Sequence, residues 1–367
     1  MKLRIAVIGC GGICNEYGRD ILKHHESLTL MGATDLDLSR AETFCQRFGG
    51  RVYADLNEIL DDLEVDVVLN LTIHKVHFEL NRRALSAGKH VFSEKPMALT
   101  HVEAKELGDL ARKTNCRIAA APITFLGEGI QTVAKLLKKD LIGHLRLVYA
   151  EVNWGQINRW IPAPASYFAI GPLLDVGVYA ITSLTFLLGP VRKVWGYSTI
   201  LQNPRIGTGG QEFPVTAPDF TMGMLEFESG VVARVTTNYY VPTAHQRHLR
   251  GFEFHGDEGT LSISDYHDFS AICQLIPYGE PGVNIPLLRE PDAPMDRAIG
   301  LVELAQAIRN DRPHRGSAEH AAHVIEIMEG LQISADRSEK IAIHSRFAPS
   351  PLVEWARDLE PVIAKKD

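Results

Sequence analysis

Leu3-Arg4-Ile5-Ala6-Val7-Ile8 runs directly into Gly9-Cys10-Gly11-Gly12-Ile13-Cys14, and the reading of residues 3–14 decides the fold of the first part of the chain. The apolar run is short and β-rich, as a buried strand is, and it stops at the glycines. Beyond them Ile13, Tyr17, Ile21 and Leu22 recur at helical spacing, so the order is strand, turn, helix. A helix N-terminus offers unpaired N–H groups and the positive end of its dipole to a phosphate, and glycine lets backbone approach a pyrophosphate closely. Gly9 and Gly11 fit that demand, with Gly12 and Ile13 completing the turn. Cys14 replaces the third glycine of G-x-G-x-x-G but is small enough for tight helix-to-strand packing. A second strand, Leu28 to Thr34, ends at Asp35, 24 positions after Gly11, the spacing of a ribose-binding carboxylate. The stretch therefore predicts dinucleotide binding. The charge of Asp35 repels a 2′-phosphate and favours NAD, while Arg40 is a residue type that pairs with that phosphate and keeps NADP open.

The alternation continues downstream. Ser39 sits where it caps a helix carrying Phe44 and Phe48, Val52-Tyr53 is a short strand, and Asp55-Leu56-Asn57-Glu58 reads as a capping box opening a helix to about Leu63. Val65 to Leu71 is almost continuously apolar, the pattern of a strand buried on both faces. A helix over Val76 to Ala87 stops at Gly88, His90 to Ser93 is a strand, Thr100-His101-Val102-Glu103 opens another helix, and Arg117 to Ala121 closes the series. This order predicts a Rossmann-type α/β domain over 1–122, a doubly wound parallel sheet with right-handed crossovers. Residues 123–367 read differently. After a helix near Gly129 to Lys139 come strands at Leu145–Val152, Val191–Ile200, Phe220–Phe227, Val231–Tyr240, Phe252–Gly256 and Thr260–Ile263, with turn signals at Glu228-Ser229-Gly230 and Gly256-Asp257-Glu258-Gly259. They predict an α+β domain with an open, mostly antiparallel sheet, two late helices near Ala298–Asn310 and Ser317–Ser334, and long loops at 201–219 and 277–297.

Composition narrows the functions. The chain is 45% hydrophobic and 23% charged, the balance of an ordinary globular protein. With 38 Lys+Arg against 45 Asp+Glu, its formal charge of -7 lacks the basic excess that a run of nucleic-acid phosphates requires. No apolar run reaches the roughly 18 to 20 residues of a membrane span, since Val178 to Leu188 is broken by Tyr179, Thr182, Ser183 and Thr185. Met1-Lys2-Leu3-Arg4 leads straight into the first strand without the features of a secretory signal, so a cytoplasmic location is expected. The five cysteines (Cys10, Cys14, Cys45, Cys116 and Cys273) are scattered and odd in number, so reduced thiols are expected, and nothing around Cys10 and Cys14 completes a metal site.

Gly88-Lys89-His90-Val91-Phe92-Ser93-Glu94-Lys95-Pro96 ends at the C-terminal edge of the fifth strand, where an open α/β sheet places its ligands. It stands with Val65-Asp66-Val67-Val68 leading to Thr72 and His77, and with Leu173-Leu174-Asp175-Val176-Gly177-Val178-Tyr179 in the second half. In this combination the sequence resembles the glucose-fructose oxidoreductase and inositol dehydrogenase family (Gfo/Idh/MocA), whose signature is a Glu-Lys-Pro triplet after a Gly-Lys-His-Val approach. The resemblance covers essentially the whole chain. It implies that Lys95 lies beside the nicotinamide and the substrate hydroxyl, with Glu94 in support, Pro96 fixing the turn, and Thr72 and His77 on the cofactor. An ammonium beside an oxidised nicotinamide loses its proton more readily and can then take the proton leaving an alcohol. The plainer reading of Lys95 is an exposed lysine before a proline.

Asp175 and Tyr179, four apart, share a face if their segment is helical. The family's common pattern has histidine at the position of Tyr179 and often aspartate at that of Thr182, and this sequence departs at both. It resembles the tyrosine-bearing branch that includes glucose-fructose oxidoreductase and dihydrodiol dehydrogenase, where the phenol is the proposed acid/base. A phenol titrating near 10 needs a neighbouring cation to act at neutral pH, a part Lys95 would play; alternatively Tyr179 is a buried core aromatic. Within Asn153 to Trp160, Trp154, Arg159 and Trp160 suit stacking on and hydrogen-bonding a sugar, or tryptophans closing the core under a loop. Arg309, Arg312, His314 and Arg315 suit either an anion or a solvated helix end.

The resemblance thus implies an NAD(P)-dependent dehydrogenase or reductase acting on a carbinol carbon of a sugar, polyol or related small hydroxy compound, with Lys95 and Tyr179 handling the proton and Asp175 orienting the substrate. The same family fold includes NAD-dependent glycosidases, which oxidise, eliminate and reduce again without net cofactor turnover. A dinucleotide-binding sensor without catalysis is a third reading, against which Lys95, Asp175 and Tyr179 together argue. Strands Thr221–Phe227 and Val231–Tyr240 have a face that local helices leave uncovered, and the resemblance implies a homodimer or homotetramer joined sheet to sheet. A small sugar-like substrate is expected as a partner; nucleic acid and membrane are not.

Overall fold

A computed structural model describes residues 2–241 and 250–362, so the outer bounds of the two expected domains, residues 1 and 367, lie outside the described residues. Six strands, β1 (Leu3–Ile8), β2 (Leu28–Thr34), β3 (Arg51–Val52), β4 (Val67–Asn70), β5 (His90–Ser93) and β6 (Ile118–Ala120), line up as β3-β2-β1-β4-β5-β6. Every pairing is parallel. The crossovers carry α1 (Cys14–Lys23), α2 (Leu38–Phe48), α3 (Leu56–Asp61), α4 (His77–Ser86) and α5 (His101–Lys113). All of β4 is buried, as its continuous apolar run requires. Thr100 and Glu103 close the capping box of α5. Asp37, not Ser39, caps α2, because its carboxylate accepts the Ser39 N–H and hydroxyl. The chain turns from β1 outward in both directions, so the ends of β1 and β4 flank the topological switch point of the sheet.

A second set of elements follows: α6 (Glu128–Leu137), β7 (Leu145–Asn153), α7 (Ala165–Phe168), and a π-helical turn, Leu173–Gly177, running into α8 (Val178–Leu188). Then come β8 (Val191–Thr199), β9 (Arg205–Ile206), β10 (Glu212–Phe213), β11 (Phe220–Phe227), β12 (Val232–Asn238), β13 (Phe252–Gly256), β14 (Gly259–Ile263), β15 (Cys273–Pro277) and β16 (Val283–Ile285). The remaining elements are α9 (Ile299–Arg309), α10 (Ala318–Arg337), β17 (Ile341–Ala342) and α11 (Glu354–Asp358). Nine strands form one sheet, β16-β15-β14-β13-β7-β12-β11-β8-β17. It is mixed and mostly antiparallel: β12 runs parallel to β7, and the other pairings are antiparallel. The segments 201–219 and 277–297 are not unbroken loops. The first holds the β9–β10 pair and the second holds β16, runs too short to show alternation in sequence.

The chain divides into two compact units, Met1–Ile123 with Asp296–Ile325, and Thr124–Met295 with Glu326–Asp367. The sequence boundaries place 296–325 with the second half, whereas α9 lies against β2 and β6. Gly300 permits this approach, since a Cβ there would stand 2.6 Å from the side chains of Phe92 and Ile123. In the second unit, the later turns of α10 press on β8 and β11 at two paired glycines. A Cβ on Gly196 would come 2.5 Å from the Leu331 carbonyl oxygen, and one on Gly223 would come 2.6 Å from the Leu331 side chain. The opposite face of the same strands keeps Trp195, Tyr197 and Met222 exposed.

A buried ion pair braces this unit. Arg205 and Asp219 are 1% and 0% exposed, and the guanidinium lies 5.3 Å from the ring centres of both Phe168 and Tyr240. Phe168 in turn meets the Tyr239 ring at 5.2 Å, and the Tyr239 N–H donates to the Asp219 carbonyl at 3.0 Å. Among the described residues, no helix is long and apolar enough to cross a membrane.

Candidate functional site

In the first unit the glycine turn is built by close approach. Gly9 has φ +90°, and a Cβ there would stand 2.8 Å from the Thr72 nitrogen. By contrast, a Cβ on Gly11 or Gly12 would meet nothing within 4 Å, so this part of the turn borders open space. Ile13 is the N-cap of α1 and supplies no side-chain cap; the Cys14 and Glu16 N–H groups turn back to the carbonyls of Gly11 and Ile13 at 3.2 and 3.1 Å, so no side chain occupies the positive end of the helix. Asp35 receives the Cys10 N–H at 2.7 Å on one oxygen and the Asp37 N–H at 2.9 Å on the other. An ionised carboxylate has about four acceptor positions, so capacity for ribose hydroxyls remains. Arg40 is exposed and turned to Asp37, 3.4 Å away. An open glycine face, an uncapped helix start and a strand-end carboxylate fit a dinucleotide. Two further residues at the same end of the sheet, Leu36 and Ile73, are exposed apolar side chains that sequence reading passed over.

The end of β5 rests on a buried polar network. Glu94 accepts the Tyr17 hydroxyl at 2.8 Å and the Lys95 N–H at 3.0 Å, and its own N–H donates to the Asn70 carbonyl at 2.9 Å. The Lys95–Pro96 bond is cis. His77, buried, places one ring nitrogen 2.7 Å from the Pro96 carbonyl and the other 3.0 Å from that of Thr72. Asn70 accepts both the N–H and the hydroxyl of Thr72, at 3.2 and 2.6 Å, and donates to Asn81 at 2.8 Å. Asn81 donates to the Ser93 hydroxyl at 3.0 Å and the Met97 carbonyl at 3.2 Å. Thr72, His77, Glu94 and Pro96, expected on the cofactor, are thus all joined to the frame beneath Lys95. Tyr17, Asn70 and Asn81 escaped sequence reading. The available signal was an amide ending an apolar strand and a second amide four residues after His77 on α4.

In the second unit, Asp175 lies on the π turn and accepts the Tyr239 hydroxyl at 2.5 Å. Burial drives the Tyr239 phenol well above its ordinary range, with Asp175 adding to the shift, so this hydroxyl remains a donor. Tyr179, 6% exposed, opens α8 one turn later, and its ring centre is 4.9 Å from that of His267. His267 also meets the Trp154 ring edge-on at 5.8 Å and 81°. The Trp154 N–H donates to the Tyr266 hydroxyl at 3.3 Å, and Tyr266 stacks on Phe252 at 5.4 Å and 15°. Burial also pushes the Tyr266 phenol up. Neither His267 nor Tyr239 was singled out in sequence. Trp154 therefore joins the rings around Tyr179. Arg159 and Trp160 are exposed on a separate turn, where Arg159 donates to Gln156 at 2.6 Å.

The late basic cluster is internally matched. Arg312 and Arg315 both pair with Glu303, at 2.6 and 2.7 Å, and a ring nitrogen of His314 lies 2.9 Å from the Ile118 carbonyl. Burial also lowers the proton affinity of His314. Among the described residues, no cluster of three or more His, Cys, Asp or Glu is arranged to hold a metal.

Residues 3–121 match the Gfo/Idh/MocA oxidoreductase family profile with its NAD-binding Rossmann fold, and residues 130–262 match a GFO/IDH/MocA C-terminal domain. The chain belongs to the Gfo/Idh/MocA oxidoreductase family, and its cofactor is a nicotinamide dinucleotide. It is similar to D-glucoside 3-dehydrogenase of Escherichia coli (strain K12), 25% identical over 283 residues, 73% of this chain and 79% of that protein. Trans-1,2-dihydrobenzene-1,2-diol dehydrogenase of Mus musculus is 29% identical over 192 residues, 52% of this chain and 57% of the other. Among solved structures, levoglucosan dehydrogenase in complex with NADH and levoglucosan shares the fold. Its TM-score is 0.81 at 20% identity, covering 94% of this chain and 100% of that one.

The two kinds of glycine make separable predictions. Gly11→Val, which places its side chain in open space, should leave the melting temperature within a few degrees while weakening NAD binding by about tenfold or more, a loss of about 1.4 kcal/mol by calorimetry. Gly9→Ala, at positive φ and against Thr72, should instead lower the melting temperature sharply. Unchanged NAD affinity in a folded Gly11→Val protein would remove the glycine turn from the cofactor site.

Proposed function

We propose that this protein is an NAD-dependent dehydrogenase or reductase of a sugar, polyol or related small hydroxy compound, in which Lys95 and Tyr179 handle the proton and Asp175 orients the substrate. When bound, the nicotinamide exchanges a hydride at its C4 with the carbinol carbon. The chain's own residues bind, orient and manage the proton. The observation that carries the reading is the support beneath Lys95: a buried carboxylate, Glu94, accepts the Lys95 N–H at the ligand-binding end of the parallel sheet. A lysine so placed, once its ammonium has given up a proton, takes the alcohol proton on the neutral amine Nζ, and the Tyr179 phenol oxygen offers a second station for it. Asp175, held by Tyr239, serves a substrate hydroxyl as acceptor. The substrate class is supported by the two similar proteins named for sugars, D-glucoside 3-dehydrogenase and levoglucosan dehydrogenase. Trp154 adds an aromatic surface beside Tyr179 through His267.

Lys95→Ala and Tyr179→Phe should each lower turnover by about 100- to 10,000-fold, the usual contribution of an acid/base group, with NAD affinity changed by no more than a few fold. Groups that act as a unit are not additive, so the double variant should be little slower than the poorer single one. The assay follows NADH absorbance with methyl α-D-glucopyranoside, levoglucosan, myo-inositol and open-chain polyols. Product formation without net NADH would turn the reading toward the glycosidase chemistry of this fold. Normal turnover by Tyr179→Phe would remove the phenol from the mechanism.

NAD preference rests on Asp35 at the end of β2 and on Arg40 being paired with Asp37. Asp35→Ser should narrow or reverse the preference, and tenfold tighter NADP binding by the unmutated protein would make Arg40 the dominant residue instead.

We infer a homodimer or homotetramer joined through the outer sheet face, a reading supported by the exposure of Trp195, Tyr197 and Met222 on it. Light scattering at micromolar concentration should give a multiple of the 40.7 kDa chain mass, and the mass of one chain would refute this.

A further inference from the structure

The loop after β14 is built around one half-buried imidazole. The main-chain N–H of His267 donates to the Asp265 carboxylate at 2.8 Å, and Asp265 pairs with Arg250 at 2.7 Å. The Arg250 guanidinium lies 4.9 Å from the Trp154 ring centre, and Trp154 returns edge-on to His267. These four residues close a circuit: Arg250 to Asp265, Asp265 to His267, His267 to Trp154, and Trp154 back to Arg250. Between Asp265 and His267 sits Tyr266, 1% exposed, stacked on Phe252, with its N–H donating to the Arg250 carbonyl at 2.8 Å. At the loop's ends, Ser264 and Ile272 exchange hydrogen bonds of 3.0 and 2.9 Å. These bonds fix the backbone from which the His267 ring projects, and the ring itself is flanked by Trp154 and Tyr179. The ring it faces, at 4.9 Å and 50°, is Tyr179, and this separation lies in the range where ring pairs attract.

We propose that His267 is a positioning residue for Tyr179: Asp265, paired with Arg250, fixes the His267 backbone, Trp154 backs its ring, and the imidazole so placed fixes the plane of the phenol ring. The inference rests on the catalytic reading of Tyr179 and extends it to a residue on a different element, 88 positions later in the chain. Its physical basis is the steep dependence of rate on geometry. A displacement of about 1 Å at a reacting group can cost about 100-fold, so a ring that supplies the acid/base oxygen needs a wall. Tyr179 is the second residue of α8, directly after a π-helical turn, and the wall is supplied by the loop that follows β14.

Two measurements test this. The first needs no substrate: 3-fluorotyrosine is placed at position 179 and its fluorine NMR line is followed. In the otherwise unmutated protein the line should be broad or doubled, as for a ring that flips slowly. In His267→Ala it should collapse to one narrow averaged line, and in His267→Phe, which keeps a ring in place, it should stay as in the parent. An unchanged line in His267→Ala overturns the proposal. The second measurement is kinetic, with methyl α-D-glucopyranoside, levoglucosan and myo-inositol as probes. His267→Ala should lose about 10- to 100-fold in kcat with KM changed less than about threefold, and His267→Phe should recover most of the loss. In a Tyr179→Phe background, His267→Ala should cost nothing more, because the group it positions is already gone. A further loss that multiplies with that of Tyr179→Phe overturns the proposal, since it shows His267 acting independently. Normal turnover by Tyr179→Phe, with a fluorine line that still answers to His267, overturns the catalytic reading and leaves the ring contact established on its own.

Discussion

Asn70 is the residue on which the cofactor half depends. It is fully buried at the end of a strand that is otherwise Val-Val-Leu, where an unpaired amide would be costly. Its side chain holds Thr72, in the turn after β4, on one side and Asn81, on α4, on the other. Through Asn81 the same network reaches Ser93 and Met97, and through its main-chain carbonyl it takes the Glu94 N–H. Buried hydrogen bonds of this kind specify one arrangement, because each unmade bond leaves a desolvated group without compensation. The turn after β4 and the Glu94-Lys95-Pro96 turn after β5 are therefore set relative to each other by two amides, with His77 spanning the Thr72 and Pro96 carbonyls.

The second unit solves a similar problem with charge and rings. Arg205 and Asp219 are out of water, and breaking such a pair from one side is typically far costlier than forming it is favourable. Their position is held by Phe168, Tyr240 and the Tyr239 N–H, and Tyr239 delivers its hydroxyl to Asp175. A few residues away the Arg250–Asp265 pair orders the loop that carries His267 to Tyr179. Asp175 and Tyr179 thus each have a partner from a distant strand or loop. The π-helical turn at Leu173–Gly177 is where the chain departs from regular helix to reach both, a departure that recurs at functional sites.

Local order carried the sequence reading of the fold. Alternating strand and helix periods, two acidic or hydroxyl caps and a glycine turn sufficed for the parallel sheet, and successive strands with short turns sufficed for the antiparallel one. The misreadings have local causes. Strands β9, β10 and β16 are two or three residues long, less than one full alternation, and Asp37 displaced Ser39 as a cap because either residue is chemically suited to that position.

By itself, the sequence determined most of the elements and the family, and it singled out Gly9, Gly11, Asp35, Glu94, Lys95, Asp175 and Tyr179 as candidate site residues, because each lies in a short motif whose spacing is meaningful along the chain. Tertiary structure alone decided what surrounds them. Asn81 and Tyr17 matter because they converge on Glu94 and Asn70, Tyr239 because it lies 64 residues from Asp175, and His267 because β14 places its loop beside α8. Tertiary packing also returned 296–325 to the first unit, through contacts between α9 and strands nearly two hundred or more residues earlier. Periodicity and capping act within one turn of chain, whereas hydrogen bonds and ring contacts between distant segments depend on where the whole backbone has gone.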